Sequence, residues 1–238
     1  MLKNILPKVV AESNKICKFA AEISCDMKVL VTAGPTYEKI DPVRFIGNFS
    51  TGKMGVAIAA AFAERGDEVE LVCGPITAKV PESPLIHRTD VVSAREMYDA
   101  VMERFGMCDG AVLCAAVADY TPAQVYSEKV KRETTGPMTI ELVPTQDIAA
   151  ACGKLKNVNQ FMVGFALETC DEMAHAADKL KRKNLDFIVM NSLKVQGAGF
   201  GVDTNVVTFV YADGHAEELP LMPKTEVARE IVKRITKK

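Results

Sequence analysis

Residues 52–73 read GKMGVAIAAAFAERGDEVELVC, and two periods meet inside them. Up to Arg65 the small and apolar residues recur at helical spacing, with Ser50 or Thr51 placed to cap the start and Gly66 to stop the end. From Glu68 to Cys73, EVELVC has the short apolar character of a buried strand. Upstream, Lys28 to Thr32 (KVLVT) is a second apolar run, closed by the turn residues AGPT. Strand, crossover helix and strand make one parallel βαβ unit, whose connection is right-handed.

The alternation continues outward from that unit. Strands are predicted at 85–89, 110–117 (GAVLCAAV), 138–143, 161–166 and 185–190, with helices at 93–105, 146–154 and 171–183. Residues 204–211 and 217–221 flank ADGH, whose Asp-Gly pair favours a hairpin turn, and a last amphipathic helix starts at Thr225. The fold class is α/β: a Rossmann-like, doubly wound, mainly parallel sheet with a C-terminal β-hairpin. Two stretches carry no period, AKVPESP (78–84) and YTPAQVYSEKVKRETTGP (120–137). An unstructured loop of the second one's length is a lid or a binding loop, and this one reads as a mobile lid. Residues 1–27 have a moderately helical pattern and form a separate N-terminal segment, leaving 28–238 as the domain.

Composition narrows the function classes. A chain of 238 residues, 48% hydrophobic and 25% charged, is globular, and its formal net charge of −2 gives no cationic field for nucleic acid or an anionic membrane. No apolar run reaches the length of a membrane span, and residues 1–27 lack the features of a signal or transit peptide, so the cytoplasm is the expected location. Seven cysteines, none in C-x-x-C spacing, read as buried free thiols, and the three histidines are far apart and fit no zinc-ligand pattern.

Ligands of open α/β sheets lie outside the carboxyl ends of the strands. That places a site at AGPT with Gly34, at AAVADY with Ala115 and Asp119, and at the start of VGFALET with Phe165. Residues 45–55, FIGNFSTGKMG, contain G-x-x-x-x-G-K but carry Met54 where a P-loop needs a hydroxyl for Mg²⁺, and about ten residues separate them from the strand. Ser50, Thr51, Gly52 and Lys53 nevertheless open a long helix, so they fit either a helix-terminus phosphate site or a plain capped start. Several other candidates also have ordinary readings. Arg44 fits a solvated charge and Asn48 a turn former; Lys179 and Lys183, sharing one helix face, fit cations near a helix C-terminus, and Lys129 fits a loop charge.

Taken together, VTAGPT (31–36), DPVRFIGNFSTGKMG (41–55), AAVADY (115–120), EKVKR (128–132), TQDI (145–148), VGFALET (163–169) and KLKRKNLDFIVMN (179–191) resemble the phosphopantothenoylcysteine synthetase family, bacterial CTP-dependent type, over about residues 28–237. The resemblance implies a ligase of coenzyme A biosynthesis. It would join 4'-phosphopantothenate to L-cysteine through an acyl-cytidylate, with CTP as co-substrate, Mg²⁺ alongside it, and CMP and pyrophosphate released. By motif, Lys129 would neutralise the reacting phosphate and Lys179 and Lys183 would hold the triphosphate, while Gly34, Ser50, Thr51, Gly52 and Lys53 would line the nucleotide site. Asp119, the Ala115 backbone, Thr145, Gln146, Asp147 and Ile148 would read the cytosine, and Phe165 would pack on the nucleotide. Asn48 would steady the acyl-cytidylate as cysteine attacks, and Arg44 would face phosphopantothenate. The family is dimeric, so a homodimer is expected, with no nucleic-acid or membrane partner. TQDI departs from the N-P-D-I form of many members, and 27 residues cannot hold the flavin decarboxylase that many carry, which points to a stand-alone synthetase.

Two other readings compete. A nicotinamide oxidoreductase fits poorly: no G-x-G-x-x-G follows the first strand, and Tyr126 stands three residues before Lys129 where the dehydrogenase pair needs four. A non-catalytic nucleotide-binding sensor differs only in releasing no pyrophosphate.

Overall fold

The computed structural model describes residues 27–132, 137–167, 178–191, 197, 199 and 201–235. The N-terminal segment, part of the expected lid and most of the helix expected at 171–183 lie outside the described residues. In chain order the elements are β1 (Lys28–Ala33), β2 (Tyr37–Lys39), β3 (Phe45–Gly47), α1 (Lys53–Arg65), β4 (Glu68–Cys73), β5 (Ile86–Asp90), α2 (Ala94–Phe105), β6 (Gly110–Leu113), β7 (Tyr120–Pro122), β8 (Leu142–Pro144), α3 (Ile148–Leu155), β9 (Phe161–Leu167), β10 (Phe187–Asn191), β11 (Thr204–Asn205), β12 (Val207–Tyr211), β13 (Ala216–Glu218), β14 (Met222–Pro223) and α4 (Lys224–Ile235).

One sheet runs β13-β12-β10-β9-β6-β1-β4-β5. The strands from β10 to β5 are parallel, and β12 and β13 close the other edge as the antiparallel C-terminal hairpin. From β1 the chain moves one way to β4 and β5, then returns to build β6, β9 and β10 on the other side. The order therefore reverses between β1 and β6, and a crevice opens there.

Strand alternation distributes the core over both faces. In β1, Val29 and Val31 pack with Ile58 and Phe62 of α1 and Ile231 of α4. Leu30 points the other way, to Met97, Val101 and Phe105 of α2 and Cys152 of α3. Burial on both faces is why these strands read as continuous apolar runs. The start of α2 carries a capping box: Ser93 Oγ accepts from the Glu96 amide at 3.2 Å, and the Glu96 carboxylate accepts from the Ser93 amide at 3.4 Å.

Two local expectations change, and one stretch given no element takes on structure. The strand expected at 138–143 is the short β8, paired antiparallel with β7 outside the main sheet, because β9 takes the place beside β6. The stretch after AGPT is a hairpin, β2 with β3, its Tyr37 and Phe45 rings stacked 3.9 Å apart. Finally, α1 is capped by Gly52 at φ 80°, and neither Ser50 nor Thr51 bonds its first turn as a side-chain cap. Both instead line the crevice.

Candidate active site

The crevice at the carboxyl ends of β1, β6, β9 and β10 is a cleft of about 560 Å³. Its floor requires glycine. Gly34 and Gly52 both have positive φ (83° and 80°), and a Cβ on either would stand 2.4 or 2.3 Å from Ile76 Cγ2. The first turn of α1 (Lys53, Met54 and Gly55) opens into this space, so its backbone amides and the helix dipole favour an anion there.

One wall is the segment that leaves β6. The chain quits the sheet after Leu113, earlier than the expected Val117, because its backbone turns to bond the exit of β1. The Ala116 amide donates to Gly34 O at 2.8 Å, the Ala115 amide to Thr32 Oγ1 at 3.1 Å and the Ala118 amide to Thr36 Oγ1 at 2.9 Å. Asn48 reaches across to the same segment, its Nδ2 donating to Ala116 O at 2.9 Å and Val117 O at 3.3 Å. Thr145 fixes the next stretch. Its amide donates to Asp119 O at 2.9 Å and its hydroxyl to Ala118 O at 2.6 Å.

The lining also carries the cations Lys179 and Lys183. Lys183 Nζ lies 2.9 Å from Asp147 Oδ2, and Asp147 also caps α3 by accepting from the Ala150 amide at 3.0 Å. Burial alone would raise the Asp147 pKa, but the Ala150 amide and the Lys183 ammonium outweigh it and hold the carboxyl below its ordinary value. Gly153 lets α3 come close, since a Cβ there would meet Lys183 O at 2.2 Å.

Of the residues singled out by sequence, Gly34, Asn48, Ser50, Thr51, Gly52, Lys53, Ala115 and Asp119 line this cleft, as do Thr145, Gln146, Asp147, Ile148, Phe165, Lys179 and Lys183. Arg44 and Lys129 do not. Nor is Arg44 a free surface charge: its guanidinium pairs with the buried Asp41 and donates to Val130 O at 2.7 Å. Asp41 in turn accepts from the Val130 amide at 3.1 Å, and the Tyr126 amide donates to Ile40 O at 2.9 Å. The described part of the expected lid is thus fastened to the β2–β3 hairpin, with Lys129 exposed upon it.

Lys224, Asn191 and Asn205 also line the cleft; no sequence motif marked Lys224 or Asn205, and Asn191 closes the 179–191 motif without having been given a role. Asn205 Nδ2 donates to Asn191 Oδ1 at 2.7 Å. Lys224 begins an amphipathic helix, where a lysine reads as surface, yet it is 7% exposed. The nearest available signal was the glycine alternation in GAGFGVDTN (197–205), which marks a tightly turned backbone. Cys114 lines the same end, with its thiol pushed up to about 12 by burial, so it is not a thiolate nucleophile at neutral pH. The chemistry on offer is electrostatic: two cationic poles, helix N-termini and directed amides around a cleft whose volume is that of a small-molecule site.

An open, mainly parallel sheet with such a cleft at its point of reversal defines a Rossmann-like α/β protein with a nucleotide-type crevice. The chain belongs to the family of the DNA/pantothenate metabolism flavoprotein C-terminal domain, whose model matches residues 25–238. Among its relatives, a cysteine/cysteine sulfinic acid decarboxylase of an unknown prokaryotic organism is 53% identical over 87% of this chain and 57% of that protein. The coenzyme A biosynthesis bifunctional protein CoaBC of Bacillus subtilis (strain 168) is 46% identical over 91% of this chain and 53% of that protein. The chain therefore spans about half the length of the curated relatives it matches. Among solved structures, the C-terminal domain of a CoaBC protein is 44% identical, with a TM-score of 0.73 over 88% of this chain and 95% of that one. No helix among the described residues is long and apolar enough to cross a membrane.

Proposed function

We propose that the chain is a phosphopantothenate–cysteine ligase that activates 4'-phosphopantothenate with CTP and passes the acyl group to L-cysteine. The observation that carries this reading is the assembly, in one cleft, of the Asn48 amide, the α1 and α3 N-termini and Lys179 and Lys183 from three separate segments. The family and the CoaBC relatives support the coenzyme A context.

A carboxylate is already ionised at pH 7 and needs no base to attack a phosphate, so the demand is for charge compensation. Lys179 and Lys183 hold the triphosphate, with Asp147 keeping Lys183 in place. The first turn of α1, with Gly34, Ser50, Thr51, Gly52 and Lys53, cradles phosphate. Asp119, Ala115, Thr145, Gln146 and Ile148 face the base, where a carboxylate acceptor suits a cytosine amino group, and Phe165 packs beside it. Asn48 directs its amide at the acyl oxygen when cysteine's amine attacks, exchanging the Ala116 and Val117 carbonyls for the ligand. Mg²⁺ enters as the complex of CTP. Among the described residues no group of three or more His, Cys, Asp and Glu is placed to hold a metal, and Mg²⁺ on nucleotides needs few protein ligands.

Lys129, assigned to the reacting phosphate, and Arg44, assigned to the phosphopantothenate end, lie outside their own chain's cleft and would serve that of a second copy in a homodimer. Support comes from exposed apolar side chains on the two small hairpins, among them Val43, Phe45, Tyr120, Leu142 and Val143, and from Val125 and Tyr126 beside them. These hairpins adjoin through β2 and β7, making one patch suited to a partner. The test is pyrophosphate release in the presence of CTP, which should require phosphopantothenate and yield phosphopantothenoylcysteine only when cysteine is added. CTP binding without any pyrophosphate release would replace the ligase with a nucleotide sensor.

A further inference from the structure

Gly199 lines the end of the cleft beside Lys53 and Lys224, and these two lysines hold a strap made of Gly199, Gly201, Val202 and Asp203. Lys224 Nζ donates to Gly199 O at 2.8 Å and Val202 O at 2.7 Å, and its amide donates to Asp203 O at 2.9 Å. Lys53 Nζ donates to Gly201 O at 2.9 Å and to Asp203 Oδ1 at 2.7 Å. Gly199 and Gly201, at φ 109° and 76°, supply the left-handed turns of this backbone.

The two attachments differ in kind. Lys224 is buried, and separating it from its carbonyls would leave an unpaired cation and unpaired acceptors out of water. The Asp203 side chain is 88% exposed, so its carboxylate passes into solvent with little desolvation to reverse. Lys53 is also the first residue of α1, where an anion would meet the helix amides.

We propose that this strap has Lys224 as its fixed anchor and Asp203 as an internal competitor: Asp203 pairs with the Lys53 ammonium, and a phosphate arriving at the start of α1 displaces it. Lys224 is then a positioning residue that delivers Asp203 to Lys53, and Asp203 sets how tightly the cleft takes an anion. This rests on reading the start of α1 as a phosphate site.

The test is calorimetric titration of the full chain with inorganic pyrophosphate at fixed pH and ionic strength. Asp203→Asn should bind about two- to fivefold tighter than the wild type, the scale of one exposed ion pair. Lys53→Met should bind more weakly and abolish the gain from Asp203→Asn, since the two act as a coupled pair. Lys224→Met, its fold checked by circular dichroism, should also erase that gain. An Asp203→Asn affinity equal to or below wild type, or a gain of the same size in the Lys53→Met background, overturns the proposal. If Lys224→Met does not fold, the Asp203 and Lys53 cycle still decides. Pyrophosphate binding without an Asp203 effect removes this inference alone, whereas no pyrophosphate binding in any variant removes the phosphate site beneath it. Ligase turnover is not required for either result.

Discussion

Asp147 ties together two parts of the cleft that are far apart in the chain, capping α3 with one interaction and holding Lys183 with another. Its carboxyl has a lowered folded pKa, so its stabilising effect is complete above the unfolded value near about 4 and is lost as pH falls through the lower folded value. Asp147→Asn retains a capping oxygen but removes the charge. The thermal stability gap between wild type and this variant should be present at pH 7 and close below about pH 4; a Tm difference that stays constant across pH 3 to 7 would mean that the ion pair contributes nothing. Asn48 makes a different prediction. Among the described residues its amide donates to two backbone carbonyls of the next segment, so Asn48→Ala should fold normally and still release pyrophosphate from CTP. It should then lose about 100 to 1,000-fold in amide formation, the scale of one missing directed donor. Quench analysis would show the cytidylate accumulating, and wild-type product formation would remove Asn48 from the mechanism.

At the scale of elements, α1 decides how close the cleft's cationic end comes to the sheet. A Cβ on Gly55 would stand 2.6 Å from Ala33 Cβ, 2.9 Å from Ala33 Cα and 3.0 Å from Thr32 O. These atoms belong to β1, a central strand with no freedom to retreat. Gly55→Ala should therefore cost about 1 to 3 kcal/mol by overpacking, despite the better helix propensity of alanine, and lower Tm by several degrees. A Tm at or above wild type would show that α1 can shift on the sheet. The glycine was visible in the sequence as part of GKMG, but its reason was not, because the reason is a long-range approach. The same distinction separates what could be read from what could not. The βαβ unit of β1, α1 and β4 announces itself through runs of buried residues long enough to show a period. The β2–β3 hairpin has strands of three residues, too short for any period, and depends on Tyr37 stacking on Phe45 and on Asp41 gathering amides from its own turn and from Val130. β8 was visible as an extended run, but its partner β7 was not, because pairing is set by which neighbour of β6 is already occupied.

For the whole molecule the question is where Lys129 acts. Fourteen of the fifteen positions assigned to nucleotide binding share one cleft; the exception, Lys129, sits on a segment fastened by Asp41 and Arg44 to the outer hairpin. Sequence reasoning could group Lys129 with the others by motif, but order along a chain does not reveal which copy's cleft a side chain reaches. The adjoining patch around Val43, Phe45, Tyr120 and Leu142 is the surface on which a second copy would bring the segment to the other cleft. This makes a quantitative prediction. Asn48→Ala and Lys129→Ala chains, each inactive alone, are mixed in equal amounts after reversible dissociation. If each site combines Asn48 from one copy with Lys129 from the other, half the dimers are mixed and each has one intact site, which restores about a quarter of wild-type turnover. If each site is built within one chain, every site in the mixture lacks one of the two residues and no activity returns. A mixture that stays inactive, with mixed dimers verified by mass spectrometry, would assign Lys129 to its own cleft and require the 123–132 segment to leave its Asp41 and Arg44 anchor during turnover.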